Sequence, residues 1–157
     1  MQKITPFLWY DNQLEEAMDL YMSVFQDSKI LSVSRYPEGG PGPAGQVMTA
    51  TFELEGQTFY ALNGGPVFHF TEAISFFVDC KTQEEIDDKW ERLSSGGSKS
   101  QCGWLKDKFG VSWQIVPSIL GQLLGDKNPA KAQSVMQAMM KMTKLDIALL
   151  QEAYDKA

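Results

Sequence analysis

The chain of 157 residues holds one histidine, His69, which excludes any metal centre or catalytic dyad that needs two imidazoles. Cysteine is almost as scarce. Cys80 and Cys102 lie far apart and outside any CxxC spacing, so neither a disulfide framework nor a zinc knot is expected, and a reduced cytosolic chain is the default. Basic residues are few and dispersed: 14 Lys and Arg stand against 20 Asp and Glu, a formal net charge of −6. Nucleic acid and anionic membranes both demand a basic footprint, so neither is expected as a partner, and the acidity reads as plain solubility. No apolar run approaches the roughly 20 residues that span a bilayer. The opening MQKITPFLWYD enters a strand-like pattern at once and has no signal-peptide core, so the expected location is cytoplasmic.

What is present is enough for one good core, or two small modules sharing one. ITPFLWYD (4–11) has strand length, and LEEAMDLYMSVF (14–25) places Leu14, Met18, Tyr21, Met22 and Phe25 on one helical face. KILSVSRY (29–36) returns to alternation, and the Pro- and Gly-rich 37–45 is a loop. QVMTATFELE and QTFYALN follow as strands about a turn at Glu55–Gly56. The order β-α-β-β-β then recurs. AISFFVD (73–79) is a strand, and 82–97 a helix with Thr82 as cap, Glu85 completing a capping box and Gly96–Gly97 as stop. SKSQCGWLKD and VSWQIVP are again strand-like.

Sliding the sequence by 68 lays Met18, Met22 and Phe25 on Ile86, Trp90 and Leu93, and sliding by 54 lays Gly56 on Gly110. Two copies of one module are therefore expected, about 1–65 and 73–117, forming one domain over 1–117. The tail, 118–157, reads as a helical extension packing on that domain. Asn128–Pro129 gives a cap and first turn, Thr143 is placed to cap a further helix, and Met136, Met139, Met140 and Met142 form a stripe expected to pack on the body.

The paired βαβββ modules and the run from Asp107 to Ile115 (D-x-x-G-x-x-aromatic-x-aliphatic) resemble the vicinal oxygen chelate superfamily of glyoxalases, extradiol dioxygenases and bleomycin-resistance proteins. ALNGGP, EAISFFVDC, CGWLKDKFGVSWQIVP and AQSVMQAMMKM are similar, more narrowly, to its PhnB-like branch, often labelled 3-demethylubiquinone-9 3-methyltransferase. The resemblance implies an α+β fold of two such modules and a homodimer. It also implies metal ligands on the first and last strand of each module, which fall on Phe7, Tyr60, Ser75 and Gln114. Phe7 offers no donor, Ser75 and Gln114 are neutral and weak, and Tyr60 is a poor ligand at its ordinary pKa near 10. The usual metal site is therefore expected to be absent.

Strand parity puts Phe7, Trp9, Tyr60, Leu62, Ser75, Phe77, Gln114 and Val116 on inward faces, a lining that suits a flat apolar or aromatic molecule and serves equally as plain core. His69, in the linker GGPVFHF, joins this set as a residue placed to cover the pocket mouth, beside the plainer reading of a surface histidine. Cys102 reads as an ordinary strand cysteine, Asn63–Gly65 as a turn, and Lys106–Lys108 as a solvated hairpin tip. No cofactor is expected. The S-adenosylmethionine reading fails on the turn DNQLEE, which lacks glycine, and on Pro41 and Pro43, which break the glycine loop. The leading expectation is metal-independent binding of a small apolar or aromatic molecule. The alternatives are a metal-dependent lyase, isomerase or dioxygenase, and a methyltransferase by label only.

Overall fold

The computed structural model describes residues 2–157, which divide into two compact units, one ending at Phe70 and the other Thr71–Ala157. In the first, β1 (Phe7–Tyr10), α1 (Leu14–Val24), β2 (Ser28–Arg35), β3 (Val47–Leu54) and β4 (Gln57–Asn63) build a sheet of order β1-β4-β3-β2. Alternation gives the sheet two unlike faces. Leu8, Tyr10, Ala50, Phe52, Phe59 and Ala61 are buried on the face that carries α1, whose Leu14, Ala17, Met18 and Tyr21 are buried with them. Inside that core Tyr10 and Tyr21 share a hydroxyl hydrogen bond of 2.9 Å, so neither phenol is left unpaired. Glu55 and Gly56 both take positive φ, +47° and +84°, the two-residue turn that matches strand twist between β3 and β4.

The second unit repeats the order with β5 (Ser75–Cys80), α2 (Gln83–Ser94), β6 (Ser98–Lys99), β7 (Trp104–Lys106) and β8 (Ser112–Pro117), sheet order β5-β8-β7-β6. The expected cap is in place: Thr82 Oγ1 accepts from the Glu85 amide at 3.2 Å. Glu85 reaches back one residue further than a capping box requires, to the Lys81 amide at 2.8 Å.

Element order repeats, but the residue-by-residue match shifts. The buried set Ile86, Trp90 and Leu93 on α2 corresponds to Ala17, Tyr21 and Val24 on α1, because Met22 is only half-buried. Phe7 pairs with Tyr60, whereas Gln114 pairs with Phe77 and Ser75 pairs with Ser112. By pairing, the counterpart of Phe7 is therefore Phe77. A displacement of two residues preserves the face, so the expected parity survives it.

The tail forms α3 (Ser118–Leu124), α4 (Pro129–Met140) and α5 (Ile147–Lys156). Asn128 caps α4 as expected, its Oδ1 accepting from the Ala130 amide at 3.0 Å. Thr143 caps nothing: α5 starts four residues later behind Asp146, and the Thr143 carbonyl accepts from the Gly103 amide at 2.8 Å instead. Val116, Leu120, Leu123, Val135, Leu145 and Leu150 make the tail's own core, with Met139 and Met142 against it. Met136 and Met140 remain 40% and 63% exposed, so the methionine stripe divides between core and surface. Among the described residues no helix is long and apolar enough to cross a membrane.

Candidate functional site

Each sheet leaves the face away from its helix open, and the expected site residues lie on these two faces. On the first sheet two cross-strand rows run Phe7–Tyr60–Thr51–Ser32 and Trp9–Leu62–Thr49–Ser34. Aromatic and apolar side chains occupy the β1–β4 side and hydroxyls the β3–β2 side, where Ser34 and Thr49 share a hydrogen bond of 2.5 Å. Phe7 and Tyr60 meet edge to face at 5.7 Å, yet stay 56% and 42% exposed.

Trp9 is more firmly held. Its indole Nε1 donates to the Gly65 carbonyl at 2.9 Å, and Phe68 stands edge-on at 4.9 Å. Gly64 is required here, since a Cβ would lie 2.3 Å from Trp9 Cζ2. The segment bearing His69 thus does lie along β1, through Phe68 on Trp9 and Phe70 on Tyr10, while His69 itself is exposed.

On the second sheet the rows are Ser75–Ser112–Lys106–Ser98 and Phe77–Gln114–Trp104, with the Ser100 amide bonded to the Trp104 carbonyl beyond. Gln114 Nε2 donates to Ser75 Oγ at 2.9 Å, so these two expected residues do meet. Phe77 is 60% exposed. Val116, on the same face by alternation, is instead buried beneath the helical tail, which closes that end of the face. At the opposite end Lys106 pairs with Glu72 at 2.8 Å, and this hydrogen bond holds the Glu72 carboxyl below the usual range.

The four expected ligand positions do not fit a metal ion. Phe7 has no donor atom, and Gln114, whose Nε2 donates to Ser75, would offer a metal only a neutral amide oxygen. Shifting the mapping by pairing only exchanges Ser75 for Phe77, which offers no donor either. Among the described residues no group of three or more His, Cys, Asp or Glu converges.

Three sequence readings are corrected. Asn63 is not a turn residue. It ends β4, is 3% exposed, and bridges the Leu14 amide and the Val47 carbonyl at 3.0 and 2.9 Å. Asp107 is not solvated: at 2% exposure it accepts from the Phe109 and Val111 amides and from Trp113 Nε1. Cys102 lies in no strand but in a turn at φ +59°, its thiol directed to the Met139 carbonyl at 3.6 Å. Cys80 is fully buried, and desolvation pushes its thiol up to about 12, which leaves it unreactive. Sequence reasoning also missed Ser112 and Lys106 on the open face; the parity that selected Gln114 selects Ser112 as well.

A pair of βαβββ units, each with one helix-covered and one open sheet face, defines a protein of the vicinal oxygen chelate fold. The chain belongs to the family described as 3-demethylubiquinone-9 3-methyltransferase, whose model matches residues 2–116. The helical tail lies beyond that match. A PhnB protein from Bacillus cereus that bears the same family name is 43% identical, with 74% of this chain and 100% of that one covered at a TM-score of 0.71. A Pseudomonas aeruginosa protein has the same fold at 19% identity, with coverage of 74% and 98% and a TM-score of 0.62. So does the fosfomycin resistance protein FosX of Listeria monocytogenes, complexed with Mn(II) and sulfate, at 13% identity, coverage of 72% and 89%, and a TM-score of 0.53. No curated protein matches.

Proposed function

We propose that this PhnB-like protein binds a small, largely apolar or aromatic molecule without a metal ion, on its open sheet faces. The observation that carries the reading is the exposure of Phe7, Tyr60 and Phe77, at 56%, 42% and 60%, on strand faces that a plain core would cover. Gln114 and Ser75, already paired, supply directional hydrogen bonds beside Phe77. Methyl transfer has no such support. In the glycine-rich loop the Gly40 and Gly45 amides are spent on the Pro37 and Tyr36 carbonyls at 3.2 and 2.9 Å, so the loop folds on itself rather than presenting donors to a nucleotide.

Melting of the full chain with a panel of neutral aromatic compounds, indole and benzamide among them, tests the reading. At least one compound is expected to raise the melting temperature, and combined Tyr60→Ala and Phe77→Ala changes to remove that rise. Both side chains are exposed, so the unliganded protein should lose only about 0.5 kcal/mol for each. Gln114→Leu should keep the fold and lose discrimination among the compounds. If no compound shifts the wild-type melt and Gln114→Leu melts higher than wild type, the reading fails. Stoichiometric metal in untagged protein, lost on changing Tyr60 or Gln114, would favour the lyase or dioxygenase alternative.

The chain is further proposed to act as a homodimer. Ile30, Leu31 and Val33 are exposed on β2, a strand paired only to β3 and open on its outer edge, which is a surface that proteins seldom leave uncovered. Light scattering should give twice the chain mass of 17.6 kDa, and a clean species at that mass alone would refute it.

A further inference from the structure

The row Ser75–Ser112–Lys106–Ser98 carries more information than its neighbours. Ser112 is 1% exposed, and its Oγ is buried without a hydrogen-bond partner. Among the described residues it is the one buried side-chain oxygen without a partner, which is unusual and costs stability. It lines an open cleft of about 260 Å³ together with Ser98, Ser100, Trp104, Lys106 and Glu72. Ser75, its cross-strand partner, accepts from Gln114 and so keeps its own proton to donate. Ser98, Ser100 and Ser112 thus line one cleft with the Lys106 ammonium group, and Ser75 stands next to Ser112 in the row, outside that lining.

Lys106 supplies that charge. The nearby Lys99 is drawn to Glu91 at 2.8 Å. Lys106 is held by Glu72, whose side chain is 64% exposed and lies ahead of β5. A carboxylate on a mobile-length side chain, half in water, is a partner that another carboxylate or a phosphoryl group can displace at little cost. The neighbouring row offers Phe77 and Trp104, aromatic surface for whatever is attached to that group.

We propose that the cleft of Ser112, Lys106, Ser98 and Ser100 binds the oxyanion end, carboxylate or phosphoryl, of a small organic molecule, and that Glu72 occupies its place in the free protein. The inference rests on the proposed function for the ligand's apolar body, and on this cleft alone for its charged end. Organic anions with a flat apolar portion are then bound in preference to neutral aromatics.

The test titrates the full chain with benzoate, phenyl phosphate and the neutral benzamide, following the backbone amides of Ser112 and Lys106 by NMR. Benzoate or phenyl phosphate should bind at least about tenfold more tightly than benzamide, because charge-assisted hydrogen bonds are the stronger ones. Which of the two binds better identifies the oxyanion class. Lys106→Met should weaken the anions about tenfold and leave benzamide unchanged. Glu72→Gln should tighten the anions several-fold, since it removes an internal competitor. Ser112→Ala should weaken them while leaving the unliganded melting temperature equal or higher, which a structural serine would not do. Anions that bind no better than benzamide, or not at all, overturn the assignment, as does a Glu72→Gln protein of unchanged or lower anion affinity. Benzamide binding abolished by Tyr60→Ala with Phe77→Ala, alongside anions that gain nothing, leaves the proposed function standing while this inference falls.

Discussion

Replacing Asp107 by alanine is expected to destabilise the second unit by on the order of 4 kcal/mol, lowering the melting temperature by roughly 10 °C. The carboxylate closes the turn between β7 and β8. One oxygen takes the Phe109 and Val111 amides at 2.9 and 3.0 Å, and the other takes Trp113 Nε1 at 3.0 Å. Alanine leaves buried donors with no protein acceptor beside a tryptophan that is 3% exposed. Asp107→Asn should cost about half as much, since its oxygen can still serve the two amides while its NH2 faces the indole N–H, donor against donor. Thermal and urea unfolding measure both. An alanine variant within about 1 kcal/mol of the parent would mean that the turn is held by packing and not by the carboxylate.

Asn63→Ala is expected to cost about 3 kcal/mol, by a related mechanism in the first unit. The first amides of a helix have no partner within it, and α1 has none from its own N-cap, since Gln13 makes no side-chain cap bond. Asn63 provides the acceptor from β4 instead, to Leu14, and anchors the other end of its amide on the Val47 carbonyl of β3. One side chain therefore fixes helix to sheet. Asn63→Asp should not rescue, because its second oxygen would meet the Val47 carbonyl, acceptor against acceptor. Hydrogen exchange at the Leu14 amide reads the effect locally: protection lost in Asn63→Ala is the expected result, and a Leu14 amide still protected in that variant would overturn the mechanism.

Both residues were misread from sequence for one reason. Asn before Gly–Gly and Lys–Asp–Lys before Phe–Gly carry strong local turn signals, and a local signal cannot reveal that the side chain is buried against a distant strand. The same limit applies to Thr143, a good cap by type: Asp146 caps α5 instead, and the Thr143 carbonyl accepts from the Gly103 amide. Strand parity, by contrast, was legible. Its period of two is a property of the backbone, so Phe7, Trp9, Tyr60, Leu62, Phe77 and Gln114 fell on the open faces even though the pairing of the second sheet slid by two residues.

The sequence by itself determined the two βαβββ units, their helices and the helical tail. Periodicity, glycine turns and residue chemistry are local and survive small errors of register. Only the tertiary structure decided which polar groups are satisfied. Ser75 bonded to Gln114, Val116 sealed under the tail, Lys106 held by Glu72 and Ser112 left unpaired are cross-strand facts, fixed by pairings between segments far apart in the chain. A hydrogen bond needs its partner within about 3 Å, and that distance is set by the fold, not by the spacing of residues along the sequence.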